Sequence, residues 1–166
     1  CPARGDLNRV IRAMLSELSV GHSYLGGGER VYEPRNVPVG LLGADFEEAD
    51  GRYRFKTIYG GANWDPALTA PLVAPGVDVK VGDLLLSVAG EDVRTTDDVY
   101  RFFENKVGRK VELKVGRDPN GKDARTVTVE PIASEAALRN REWVESNLKK
   151  VRAKTAGKVA YVYVPN

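Results

Sequence analysis

The feature that most constrains this chain is a short apolar run held between two glycine turns. The run Leu84-Leu85-Leu86-Ser87-Val88 follows Gly82-Asp83 and precedes Ala89-Gly90. Glycine suits both turns because it adopts positive φ angles at no steric cost. A run this short and apolar is typical of a buried strand. We therefore predict a β-strand over residues 84–88, inside a compact and tightly turned β fold.

Further strands are predicted on both sides of this run. An apolar segment over 39–46 and an extended segment over 53–59 flank Asp50-Gly51, which is a common hairpin turn. A closing hairpin is predicted around the turn residues 118–121. Its apolar residues alternate with charged or polar ones and are Val111, Leu113, Val115, Val127 and Val129.

One helix is predicted between the two hairpins. Thr95 or Thr96 is a suitable N-cap, and Gly108 is a suitable stop. The apolar residues that share one face of this helix are Val99, Phe102 and Phe103.

The two ends of the chain are predicted to present apolar surface. An amphipathic helix capped by Asp6 ends near Gly21, and another helix begins at Ser134 and ends at Gly157. The β-branched and aromatic run over 158–165 is typical of a strand buried on both faces. We expect both ends to pack on something larger, as they would in an internal piece of a longer protein.

Charge and residue counts exclude several functions. The chain has 25 basic and 23 acidic residues, so its formal net charge is +2 and no basic stripe is available for nucleic acid. No apolar run approaches the length of a membrane-spanning helix. A single cysteine, Cys1, and a single histidine, His22, exclude an internal disulfide, a cysteine metal cluster and a multi-histidine site. We predict no cofactor and no metal.

The middle of the chain resembles the permuted PDZ domains of bacterial proteases. Three segments carry the resemblance: Leu41-Leu42-Gly43-Ala44-Asp45-Phe46, the run over 75–93 with its two glycine turns, and the helix after Thr95. The first segment looks like the carboxylate-binding loop of these domains and the strand after it. The resemblance implies binding of peptides or unfolded protein segments by strand addition to a sheet edge.

The expected peptide site combines backbone amides with an apolar pocket. A glycine in the loop lets the amides of residues 42–44 turn toward one point, where they form a nest for a terminal carboxylate. A side-chain period of two puts Leu42, Ala44 and Phe46 on one side of the strand, opposite the helix. The predicted peptide-binding residues are Leu41, Leu42, Gly43, Ala44, Phe46, Val99 and Phe103. The predicted ligand is a peptide with an apolar C-terminal residue.

A wider resemblance covers nearly the whole chain. The segment Glu17-Leu18-Ser19-Val20-Gly21-His22-Ser23-Tyr24 resembles the region of tricorn-type serine proteases that contributes the triad histidine. Asn63-Trp64-Asp65-Pro66, residues 134–139 with 143–145, and Val159-Ala160-Tyr161-Val162-Tyr163-Val164-Pro165 resemble the same family. The resemblance implies that His22 is the general base of a triad. Its serine and acidic partner then lie outside this chain, which is expected to be inactive alone.

The predicted fold class is α+β: a PDZ-like, small, partly open β-barrel or sandwich with flanking helices, whose N-terminal helix and C-terminal strand belong to neighbouring domains. The predicted divisions are a helix and loop of the protease core over 1–35, the PDZ-like domain over 36–132, and a helix and strand leading into a catalytic domain over 133–166. Expected partners are peptides and the other domains of a parent protease, itself compatible with a homo-oligomer. We expect a cytoplasmic location and no membrane or nucleic-acid partner.

Other interpretations remain open. The chain could be a free-standing PDZ adaptor in which His22 has no catalytic role, or a self-contained hydrolase that pairs His22 with Ser19 or Ser23. Trp64 is either packed under the domain, which we favour, or exposed for recognition. Residues 31–38 are extended and contain two prolines, so they could occupy the peptide groove themselves. The acidic group Asp45, Glu47, Glu48 and Asp50 favours a solvated edge over a cation site, because it lacks the spacing of a calcium loop.

Overall fold

The structure is a computed structural model that describes residues 3–28, 36–62 and 64–165. The chain divides into two compact units, Cys1–Asn36 and Val37–Asn166. Neither of the two α-helices that the structure describes is long and apolar enough to cross a membrane.

The first unit is built on helix α1, Arg4–Ser16. The predicted cap was wrong: the helix begins after Ala3 without a side-chain cap, and Asp6 lies in its first turn. A negative charge in the first turn still interacts favourably with the helix dipole. The helix also ends at Ser16, before the predicted stop at Gly21.

Polar contacts tie α1 to the segment that follows it. The Asn8 side-chain amide donates to the Gly27 carbonyl at 3.1 Å, and the Arg12 guanidinium donates to the Leu25 carbonyl at 3.2 Å. The apolar face of the helix packs little within this unit, since no α1 residue is buried and Met14 is 67% exposed.

The second unit contains an antiparallel sheet in the order β1-β2-β3-β5-β6, with β4 paired to β3. The strands that the structure describes are β1 Ala44–Ala49, β2 Arg52–Ile58, β3 Leu84–Val88, β4 Glu91–Asp92, β5 Val111–Gly116 and β6 Arg125–Val129. Strand β1 begins later than predicted, and the residues before it make only isolated bridges, Val39 with Glu104 and Leu41 with Ile132. The alternation that predicted the closing hairpin corresponds to alternate burial along β5 and β6.

The turn before β3 is held by a buried carboxylate. Gly82 has a φ of +93°, and Asp83 is only 1% exposed. The Asp83 carboxylate accepts the Lys80 backbone amide at 2.8 Å and pairs with the Arg125 guanidinium. Because a buried charge requires such partners, Asp83 fixes the entry into β3 and connects it to β6.

The β1–β2 hairpin turns at Asp50-Gly51, as predicted, with φ angles of +54° and +71°. These are the signs that a two-residue primed turn requires. Phe46 packs its ring 5.0 Å from the Phe55 ring and 6.1 Å from the Tyr53 ring, which anchors the hairpin on the core.

The helix predicted after Thr95 is shorter and tighter than expected. It is a 3-10 helix over Val99–Phe103, capped by the Asp98 side chain, which accepts the Tyr100 amide at 2.9 Å. Neither threonine caps it, and it ends five residues before Gly108. Val99 and the aromatic residues are weak α-helix formers, so burial rather than propensity determines this turn. Two further 3-10 turns, Pro66–Leu68 and Pro71–Val73, lie in the loop after β2.

Helix α2, Ala136–Thr155, follows the sheet, and its C-cap is Ala156, whose φ is +49°. The Ser134 hydroxyl accepts the Ala136 amide at 3.3 Å, although Glu135 holds the N-cap position itself.

The strand predicted over 158–165 is not a strand in this structure. The segment pairs with no strand among the residues described, and Val162 and Val164 are 77% and 79% exposed. It runs back along α2 instead: the Tyr161 hydroxyl accepts from the Asn147 amide at 3.4 Å, and the Tyr163 ring meets the Trp143 ring edge-on at 5.8 Å. The described residues of this segment therefore contact α2 through side chains and do not join the sheet.

Candidate functional site

The loop over residues 40–44, here called the cradle loop, lies between the 3-10 helix and the segment that leads into α2. The Gly40 amide donates to the Phe103 carbonyl at 2.9 Å, and Leu41 and Ile132 exchange two backbone hydrogen bonds of 2.8 and 2.9 Å. A Cβ at Gly40 would approach the Pro131 side chain within 2.6 Å, so only glycine fits there. These contacts hold the loop at a fixed position in front of β1.

Gly43 points two consecutive amides of the cradle loop at one place. Its φ of +73° is in the left-handed region that favours glycine. The amides of Gly43 and Ala44 donate to the same oxygen, Oε1 of Glu135, at 2.7 and 3.3 Å. Adjacent amides that share one anionic oxygen form a backbone nest. The cradle loop therefore holds a carboxylate, and that carboxylate belongs to the chain itself.

The second oxygen of Glu135 is held by Arg139, one helical turn further along α2. The Arg139 Nε and Nη2 atoms donate to Glu135 Oε2 at 2.9 and 2.7 Å. Hydrogen bonds between a guanidinium and a carboxylate are stronger than bonds between neutral groups. Arg139 Nη1 lies 2.8 Å from both the Asp45 carboxylate and the Tyr59 hydroxyl, and the Tyr59 hydroxyl donates to Asp45 at 2.6 Å. The network joins the start of α2 to β1 and β2.

This network shifts the pKa values of its members. Partial burial opposes ionisation of Asp45, but the hydrogen bonds from Tyr59 and Arg139 outweigh it and hold the Asp45 pKa below its usual value. Burial, followed by the neighbouring Asp45 carboxylate, raises the pKa of Tyr59. Burial by itself lowers the pKa of Arg139, yet the pairs with Glu135 and Asp45 raise it overall. The lowered pKa of Asp45 and the raised pKa of Arg139 both favour the charged forms of this ion pair at neutral pH.

The predicted apolar pocket residues meet in one cluster, but their side chains are buried. Leu42, Ala44, Val99 and Phe103 are between 2% and 5% exposed and all belong to the core. Phe46 is half-buried against this core, and Leu41 is half-buried in the loop. That the seven predicted residues contact a peptide stays a prediction.

Glu135 and Arg139 are functional candidates that sequence reasoning missed. Their spacing of four residues at the start of a helix is a readable sign of an ion pair. The contact of Glu135 with a loop 92 residues earlier is not readable, because nothing local to either segment encodes it.

His22 lies in an exposed turn after α1. No hydrogen bond to its ring is among those recorded for the described residues, and no serine or carboxylate pairs with it there. Its role as a general base stays a prediction.

Two other expectations are settled by exposure and pairing. Trp64 is 86% exposed, so the expectation that it packs under the domain was wrong, because the 65–68 turn directs the chain along the surface. Glu47 pairs with Arg54 at 2.6 Å, so part of the acidic group is neutralised on the sheet. Most of the 31–38 segment, residues 31–35, lies outside the described residues together with Asn63.

The sheet order, the glycine-bearing cradle loop and the 3-10 helix beside it define a PDZ-type domain. A family model described as "Tricorn protease PDZ domain" matches residues 40–134. The chain belongs to this family, and the predicted fold class is thereby confirmed.

Relatives extend the similarity over nearly the whole chain. It is 35% identical to a tricorn protease homolog of Saccharolobus solfataricus over 98% of its length, and 32% identical to tricorn protease homolog 1 of Streptomyces coelicolor over 97%. In each case it spans 15% of the relative. The chain is also similar to a crystal structure of the tricorn protease, with a TM-score of 0.81 and 27% sequence identity. The match covers 99% of this chain and 16% of the tricorn protease chain.

Proposed function

We propose that this chain is the peptide-recognition segment of a tricorn-type serine peptidase. The observation that carries the proposal is the pair of amides at Gly43 and Ala44, which are oriented to hold a carboxylate and hold one at 2.7 and 3.3 Å. A peptide C-terminus has the same charge and the same pair of acceptor oxygens. The family of the chain makes this ligand chemistry the natural one for the cradle loop.

Strand β1 supplies the second half of the proposed site. It lies at the end of the sheet order and pairs only with β2 among the described strands. An extended peptide whose carboxylate sits in the cradle loop would lie along the free edge of β1 and exchange backbone hydrogen bonds with it. Such bonds require no particular peptide sequence. Val99 and Phe103 form the apolar wall behind the cradle in this proposal.

His22 is proposed as the general base of the parent peptidase. A histidine whose usual pKa is near neutrality can accept the proton of a serine hydroxyl and return it to the leaving amine. The serine and the acidic partner come from other parts of the longer protein, which are the proposed partners of this chain together with peptide substrates. The turn that carries His22 is exposed, as access for such partners requires.

The proposed peptide site is tested by an NMR titration of the chain with short peptides that end in leucine. Peptides with a free C-terminus should shift the amide signals of Gly43 and Ala44, whereas the same peptides with an amidated C-terminus should not. Val127 on β6, at the opposite end of the sheet order, is the internal control and should stay unchanged. Equal shifts with both peptide forms would contradict the carboxylate cradle.

The role of His22 is tested in the longer protein by measuring peptidase activity after His22→Gln. We expect activity to fall to the background while peptide binding at the cradle loop is unchanged. Full activity in this variant would contradict a catalytic role of His22.

A further inference from the structure

The cradle loop already holds the Glu135 carboxylate, which affects any peptide that binds there. Glu135 is 8% exposed, and its Oε1 atom already accepts from both Gly43 and Ala44. Each amide has a single hydrogen, so the loop has no second pair of donors for an incoming carboxylate. Occupation by Glu135 and occupation by a peptide C-terminus therefore exclude each other.

A second contact, made by Leu138, adds to the resemblance between the start of α2 and the C-terminal residue of a peptide. Leu138 follows Glu135 by one helical turn and is only 1% exposed. Its Cδ1 atom lies 3.1 Å from the position that a Cβ on Gly43 would take. The start of α2 thus presents a carboxylate to the amides and an apolar side chain to the same glycine. These are the two groups that the terminal residue of an apolar peptide offers.

The carboxylate is held in place by more than the loop. Arg139 binds its other oxygen at two points and is itself bound to Asp45 on β1. A guanidinium shared between helix and strand keeps Glu135 directed at the loop when its side chain would otherwise turn to solvent. Arg139 acts here as a positioning residue.

We propose that the first turn of α2 is an intramolecular ligand of the cradle loop, with Glu135 in the place of a peptide carboxylate and Leu138 in the place of the terminal apolar side chain. A peptide must displace this turn to bind. The proposal rests on the proposed function, since it assigns the peptide to the same amides. The peptide-binding state of the domain is then one in which the start of α2 has moved.

The test compares Glu135→Ala with a matched control, Glu145→Ala. Glu145 makes the same kind of pair on the same helix, with Arg141 at 2.8 Å and a spacing of four residues, but it does not touch the loop. Affinity for the leucine-ended peptide is measured by calorimetry, with its amidated form alongside. Charged hydrogen bonds of this kind are worth enough that Glu135→Ala should strengthen binding by roughly tenfold or more. Glu145→Ala should leave the affinity unchanged.

A second variant covers a loss of folding. Glu135→Gln keeps the shape and one acceptor oxygen without the charge, so it should give a smaller gain while near-ultraviolet circular dichroism remains that of the unsubstituted chain. A gain that requires the free C-terminus supports the proposal. Equal affinity of Glu135→Ala and the unsubstituted chain overturns it, even if the peptide site itself is real.

Acetate separates this proposal from the proposed function. If no variant binds peptide, but acetate shifts the Gly43 and Ala44 amides in Glu135→Ala and not in the unsubstituted chain, the internal ligand stands and the peptide function fails. If acetate also shifts nothing in Glu135→Ala, the proposal fails too.

Discussion

Replacing Gly43 with alanine tests the geometry of the cradle loop through stability. At a φ of +73°, alanine costs roughly 1–2 kcal/mol relative to glycine because its Cβ crowds the carbonyl. The new methyl would also lie 3.1 Å from Leu138 Cδ1, which is tight enough to add about 1 kcal/mol of overpacking. We therefore expect Gly43→Ala to lower the free energy of unfolding by about 2–3 kcal/mol, the sum of these two costs.

The control is Gly51→Ala in the β1–β2 turn. Gly51 has a φ of +71°, and a Cβ there would meet nothing within 4 Å, so this variant should show the conformational cost alone. Both variants are measured by urea unfolding, followed by near-ultraviolet circular dichroism of the aromatic cluster on β1 and β2. In a Leu138→Ala background the excess cost of Gly43→Ala should vanish, since its contact is gone. Equal costs for the two glycines, or an excess that survives Leu138→Ala, would refute the reasoning.

Two further predictions concern charged residues, and a third concerns His22. Asp83→Asn should lower the free energy of unfolding by about 3 kcal/mol, because it leaves Arg125 without its buried partner. The control, Asp78→Asn, removes only the exposed partner of the same arginine and should cost roughly 0.5 kcal/mol or less. Both are measured by urea unfolding. The folded-state pKa of Asp45 is depressed, so the ionised carboxylate contributes to stability above the ordinary aspartate pKa of 3.8, and this contribution is lost as the pH falls through the lower folded-state pKa. In Asp45→Asn the free energy of unfolding should therefore depend less on pH in that acid range. An unchanged dependence on pH would contradict this. His22→Ala should leave the unfolding midpoint of the sheet unchanged, since this exposed residue belongs to the other unit; a shifted midpoint would argue against a purely catalytic role.

Much of the fold was predictable because its signals are local. The Asp50-Gly51 turn and the glycine turns around β3 depend on backbone angles that few residues adopt, and the closing hairpin depends on simple alternation. Tertiary contacts decided the rest. Aromatic burial shortened the predicted helix to the 3-10 turn at Val99–Phe103, and the strand-like segment over 158–165 contacts α2 through the Tyr163 and Trp143 rings instead of joining the described sheet.

The candidate site divides in the same way. Gly43 and the direction of its amides follow from the sequence pattern of a carboxylate loop. The occupant does not, because Glu135 reaches the loop across 92 residues and only the folded chain brings them together. Leu42, Ala44, Val99 and Phe103 were predicted to line one peptide-binding pocket, but the sequence could not say that all four side chains are buried in the core.

Helix α2 also has mechanical properties that follow from its length. With 20 residues it is about 30 Å long, and the cradle loop binds it at one end. A rotation of about 10° around that end would carry the other end through about 5 Å, because displacement grows with distance from the pivot. A group that packs next to Thr155 would then be displaced when a ligand binds at Gly43. The same carboxylate that fills the loop would thus connect the binding of a peptide to movement at a remote part of the protein.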